Sequence, residues 1–211
     1  MKAKVAIATV SGKAYYLLVR ELKRRVIPFI SIIPGKPMPI EIKVIVTTEA
    51  EKHLISGERV ITINPLMEPD TVGSEVIKAL QGKEAYEEII VGIDPGEAFG
   101  LAFFADGEII DSINCYIIKE VINEILNELK TIDATSTHVV VKIGKGVPVY
   151  LDLLEILDKE LPPNVEIEIV SEAGTNNYSY NGKRGRDLRH IISATRIAGR
   201  SGHIHMRTNQ K

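Results

Sequence analysis

Along the first 82 residues, short apolar runs alternate with stretches of helical period. Residues 5–10, 29–33, 42–47 and 59–63 are rich in Val and Ile and read as strands. Residues 13–25 place Tyr15, Leu18, Val19 and Leu22 on one helical face, with Lys and Arg elsewhere. Ser11 suits the N-cap of that helix. The run Pro34-Gly35-Lys36-Pro37-Met38-Pro39 has to be an extended loop, since proline fixes φ and removes a backbone donor. Residues 49–55 predict a short helix or turn. Asp70-Thr71 opens a helix that runs to Leu80 and ends near Gly82. Strands alternating with helices predict a small parallel Rossmann-like or flavodoxin-like α/β domain over residues 1–84.

Past Gly82-Lys83-Glu84 the pattern changes. An apolar run, 89–93, ends in Asp94, and Pro95-Gly96 turns the chain. A second run, 100–104, follows, and Asp106-Gly107 breaks it before Glu108-Ile109-Ile110. This predicts strand, tight turn, strand, hairpin and strand. Residues 119–130 form an amphipathic helix with Val121, Ile122, Ile125, Leu126 and Leu129 inward. A strand at 137–143, a helix at 149–157, an alternating strand at 165–170 and a helix at 186–199 complete the set. Three antiparallel strands, then helix, strand, helix, strand, helix, is the order of an RNase H-like mixed-sheet domain, here 85–211.

Composition narrows the setting. The longest apolar run falls well short of the ~20 residues a membrane helix needs. Cys115 is the sole cysteine, so no intrachain disulfide can form and a cysteine zinc site is not expected. The N-terminus lacks the cleavage pattern of a signal peptide, and a cytoplasmic protein is expected. Thirty-one isoleucines against two glutamines, with dense charge, resemble a thermophile's composition, and an archaeal or thermophilic source is expected. Net charge is -2, but residues 183–211 hold eight Lys or Arg against Asp187 alone. That asymmetry suits an anionic partner or a solvated tail. Ser11-Gly12-Lys13 lacks the spacing of a phosphate loop, so helix capping is its expected role.

The candidate chemistry centres on Asp94, a carboxylate at the end of a buried strand. Gly96 beside it would let a phosphate or metal ion approach the backbone, and Gly100 is a second turn glycine before the next strand. Glu172 follows the fifth strand of this half. Asp187 and His190 are three apart on the last helix and share a face. Tyr178 and Tyr180 alternate with polar residues ahead of Lys183, Arg184 and Arg186, and Arg189, Arg196 and Arg200 continue the basic series. Aromatic faces can stack on bases while cations meet phosphates. His203 and His205 form an H-x-H, which alone says little about metal binding.

GIDPGEAFGLAFF, residues 92–104, resembles the first strand pair of RuvC-like resolvases and the related YqgF family, with Asp94, Gly96 and Gly100 at matching positions. VVVKIGKGVP (139–148), IVSEAGTNN (169–177) and RHIISATRIA (189–198) are similar to later motifs of the same families. The resemblance covers residues 87–202. It implies phosphodiester hydrolysis with Mg²⁺ or Mn²⁺ held by Asp94, Glu172 and Asp187, with His190 ligating or moving a proton. Nucleic acid would be the partner, with a homodimer left open. Two positions depart from the pattern: Lys142 stands where resolvases carry a Glu, and Ser193 replaces an acid on the last helix. Three readings therefore stand: a metal-dependent nuclease, a degenerate nuclease fold that binds without hydrolysis, and an actin-like ATP-binding unit.

Overall fold

The structure is a computed structural model that describes residues 3–64, 69–132, 136–171 and 183–207, with backbone alone at 69–70 and 183–187. The chain divides into two compact units, Met1–Glu84 and Ala85–Lys211. One holds a parallel sheet and the other a mixed sheet, so the architecture is two-domain α/β.

In the first unit β1 (Val5–Ala8), β2 (Phe29–Ile32), β3 (Val44–Thr48) and β4 (Val60–Ile63) form a parallel sheet in the order β2-β1-β3-β4. Helix α1 (Gly12–Arg24) follows β1, and Ser11 caps it by accepting from the Ala14 N–H. Helix α2 (Pro69–Gln81) follows β4, and a single 3₁₀ turn, Lys52–Leu54, occupies the stretch expected to be a helix or turn. Val5, Ile7, Val44 and Val46 of the sheet pack on Ala14, Leu18 and Leu22 of α1 and on Val72 and Val76 of α2. The apolar spacing of α1 is therefore its sheet-facing stripe. Tyr15, expected on that inward face, is exposed, and its hydroxyl meets Ser31 instead.

In the second unit β5 (Glu88–Asp94), β6 (Phe99–Ala105) and β7 (Glu108–Cys115) form the expected antiparallel meander. The β6–β7 connection has Asp106 at φ 48° and Gly107 at φ 82°, the two positive-φ residues of a type I′ hairpin. The Asp106 carboxylate fixes that turn by accepting from the Glu87 and Glu88 N–H groups. On the other side of β5, β8 (His138–Gly144) and β9 (Val165–Val170) add in parallel. Helices α3 (Ile118–Leu129), α4 (Tyr150–Glu160) and α5 (Lys183–Ala198) complete the unit, in the element order the sequence predicts.

One element was not expected. β10 (His203–Ile204) pairs antiparallel with β9, giving the sheet order β10-β9-β8-β5-β6-β7. His203 and Ile204 thus extend the sheet edge, and the residues up to Arg207 are not a solvated basic tail. Arg207 anchors them: its side chain, 4% exposed, pairs with Asp158 and donates to the carbonyls of Asp158, Leu161, Pro162 and Val165. Those carbonyls include the end of α4, where a cation is favoured by the unsatisfied C=O groups.

Candidate active site

Asp94 is the last residue of β5, the strand with partners on both sides. Alternation along β5 sends Ile89, Val91 and Ile93 into the core on one face. Ile90, Gly92 and Asp94 take the other face, where α5 packs. Two glycines set how closely α5 approaches. A Cβ on Gly92 would collide with the Ala194 carbonyl, and one on Gly100 with the His190 carbonyl. Gly100 pairs directly with Asp94, and Gly92 with Ala102. The sheet thus presents a floor of small residues, and the helix backbone rests on it.

This close seat brings His190 over Asp94. His190 Nδ1 lies 3.0 Å from Asp94 Oδ2, and the two side chains are 25% and 12% exposed. An ionised carboxylate has only acceptor atoms, so Nδ1 donates to it, and in the neutral imidazole Nε2 then keeps the lone pair. A Cβ on Gly96 would sit 3.1 Å from His190 Cε1. At Gly96 and Gly100 the nearest neighbours of such a Cβ therefore include α5 and its imidazole.

The remaining sequence candidates divide into three groups. Glu172, Tyr178 and Tyr180 lie outside the described residues, as do the side chains of Lys183, Arg184, Arg186 and Asp187. Arg189 is exposed on α5, while Arg196 is half-buried. Arg200 falls beyond the last helical residue, Ala198, and folds back to donate to the Ser171 carbonyl at 3.0 Å. The expected stripe of Arg189, Arg196 and Arg200 is thus broken at its end.

Lys142 also has a structural partner set. Its register mate is Gly92, one step inward of Asp94. Its ammonium donates to the Arg200 carbonyl at 2.9 Å and lies 3.5 Å from Glu168, whose carboxylate accepts from the Gly202 N–H. This charge, 12% exposed, ties the chain after α5 to β8 and β9. Lys142 and Glu168 are register partners on β8 and β9, a pairing that sequence spacing alone does not show.

Among the described residues, no group of three or more His, Cys, Asp and Glu side chains could hold a metal ion. Magnesium and manganese take several oxygen ligands. The described donors, one carboxylate and one imidazole, do not by themselves fit such a cation.

The first unit has its own concave feature, which the sequence did not mark. A cavity of about 600 Å³ lies past the C-terminal ends of its strands, lined by Ser11, Thr48, Glu49, Thr62 and Asn64 among others. Open α/β sheets bind ligands at that end. Near it, Glu51 accepts from the Thr9 and Thr48 hydroxyls at 2.5 Å and from the Val10 N–H at 2.7 Å. Burial pushes the Glu51 carboxyl up, but the hydrogen bonds from Thr48, Thr9 and Val10 outweigh it and hold the pKa below 4.5.

Comparison with known proteins bears on the first unit. Residues 4–81 match a family described as a response regulator receiver-like domain. The N-terminal unit is similar to a receiver-like domain. No curated protein matches the chain. Among solved structures, the chain is 10% identical to the Argonaute of Marinitoga piezophila in complex with 5′ OH guide RNA, over 85% of this chain and 41% of that one, at a TM-score of 0.33. The same Argonaute with guide RNA and target DNA gives 11% identity, 85% and 40% coverage, and a TM-score of 0.27. The chain spans about two fifths of that protein, and such scores lie below those of proteins that share a fold. No helix among the described residues is long and apolar enough to cross a membrane.

Proposed function

We propose that residues 85–211 act on the phosphodiester backbone of nucleic acid, with Asp94 and His190 as the chemical pair. The observation that carries this reading is the 3.0 Å contact between a carboxylate ending the central strand and an imidazole on the helix above it. Asp94 orients His190 through Nδ1 and leaves Nε2 free to take a proton from an attacking water. The cations that open α5, Lys183, Arg184 and Arg186, precede His190 by two turns or less and supply charge for the phosphates. The resemblance to RuvC-like and YqgF-like domains adds a Mg²⁺ or Mn²⁺ requirement, which depends on Glu172 and Asp187 joining Asp94 as ligands.

The test is cleavage of branched and single-stranded DNA and RNA with Mg²⁺, with Mn²⁺ and with EDTA. Asp94→Asn and His190→Ala should each lower the rate by about 10² to 10⁴ with the fold intact. Full activity in Asp94→Asn would sink the proposal.

A second reading has its own support. Lys142 and Ser193 replace two acids of the resembled pattern, and Lys142 is committed to Glu168 and Arg200. On this reading the unit binds nucleic acid without hydrolysis. Calorimetry that detects no Mn²⁺ binding at millimolar concentration, together with tight oligonucleotide binding, favours it.

A further inference from the structure

Helix α1 of the receiver-like unit carries a second cationic surface, far in sequence from the basic residues of α5. Residues 12–25 hold Lys13, Arg20, Lys23, Arg24 and Arg25 against Glu21 alone, in a chain of net charge -2. These cations divide into two sets. Arg24 and Arg25 bind Glu21, and Arg25 also donates to Ser74 of α2. Lys13, Arg20 and Lys23 do not join that network: none of their side chains has a hydrogen bond or ion pair to a described residue. All three are exposed.

At 3.6 residues per turn, Lys13, Arg20 and Lys23 fall within an arc of about 80° and span about 15 Å of helix axis. Tyr16 stands within the same arc, and it is 65% exposed. The opposite side of the helix is the buried stripe Ala14, Leu18 and Leu22. The arc therefore faces away from the sheet and presents three cations, unpaired among the described residues, in a row with one aromatic ring among them.

We infer that this face of α1 binds the backbone of single-stranded nucleic acid, with Lys13, Arg20 and Lys23 on phosphates and Tyr16 stacked on a base. Charge complementarity selects a polyanion, because no acid lies on the arc to neutralise it. An aromatic ring among backbone-tracking cations suits an unpaired base, whose face is open to stacking. An anionic membrane is a poorer fit. Helices that lie on bilayers bury an apolar face in the lipid, and the apolar face of α1 is already in the protein core. This inference does not depend on hydrolysis at Asp94 and His190.

The experiment is fluorescence anisotropy of the full chain with a short labelled single strand, in EDTA, between about 50 and 200 mM salt. Each phosphate contact on a single strand contributes about 0.7 to the slope of log affinity against log salt. Replacing all three cations, Lys13→Gln with Arg20→Gln and Lys23→Gln, should lower that slope by about 2. The charge-conserving set Lys13→Arg, Arg20→Lys and Lys23→Arg should restore it. Tyr16→Ala should weaken binding roughly tenfold and leave the slope unchanged, since stacking releases no counterion. An unchanged slope and affinity in the triple glutamine variant overturns the proposal. So does binding of the full chain to phosphatidylserine vesicles with none to the oligonucleotide.

Discussion

Gly92 and Gly100 show how much of this candidate site depends on single atoms that are absent. Each lacks a Cβ that would strike an α5 backbone carbonyl. A backbone cannot step aside as a side-chain tip can, so either substitution has to lift the helix. Gly100→Ala is expected to cost about 3 kcal/mol, read as a lower urea midpoint, and to weaken activity by moving His190 off Asp94. Cys115 gives a second residue-scale expectation. Burial, reinforced by Glu124 and Glu120, pushes its thiol up to about 12. At pH 8 the native chain should therefore resist alkylation, while the unfolded chain, with a thiol near 9.0, reacts readily. Mass spectrometry before and after denaturation reads the difference. Asp94 was legible in the sequence because an apolar run ends on it abruptly. Its contact with His190 was not, because 96 residues separate them and only α5 docking joins them.

Among the elements, β10 and the residues after it do more than their length suggests. Arg207 crosses to the end of α4 and satisfies carbonyls there, with Asp158 as its buried counter-ion. Arg207→Ala takes the guanidinium away from the buried Asp158 carboxylate and from the carbonyls it serves, and a loss of about 3–5 kcal/mol is expected in thermal or urea unfolding. The sequence placed this arginine in a basic tail because charge pattern alone cannot tell a solvated cation from one folded into a carbonyl cluster. The β3 exit makes a pH-dependent element. Glu51 has a folded pKa held below 4.5, so the stability it lends is present above that value. It should be lost as pH falls from 4.5 through the lower folded value. In Glu51→Gln that acid-side decline should flatten, measured as the urea midpoint against pH. The long elements were readable from periodicity and turn chemistry, as the Asp106-Gly107 hairpin shows. A two-residue strand such as β10 has no period to read.

For the whole molecule, each unit closes its own core. Val5, Ile7, Leu18, Leu22 and Val76 serve one, and residues such as Ile93, Phe103, Val141, Ile143 and Leu157 serve the other. A fragment of residues 85–211 is therefore expected to fold alone, with dispersed amide resonances and native-like helix content. A collapsed amide spectrum would contradict it. Charge is organised at the same scale. Residues 12–25 and 183–211 carry the excess of cations, and the rest of the chain is acidic enough to bring the total to -2. The glycine floor beneath α5 bears on how variants of this protein would be interpreted. In a library screened only for folded chains, Gly92 and Gly100 should tolerate as few replacements as any position in the site. Invariance there would then report the seat of a helix, and a substitution profile around Asp94 could not be taken as a map of its chemistry.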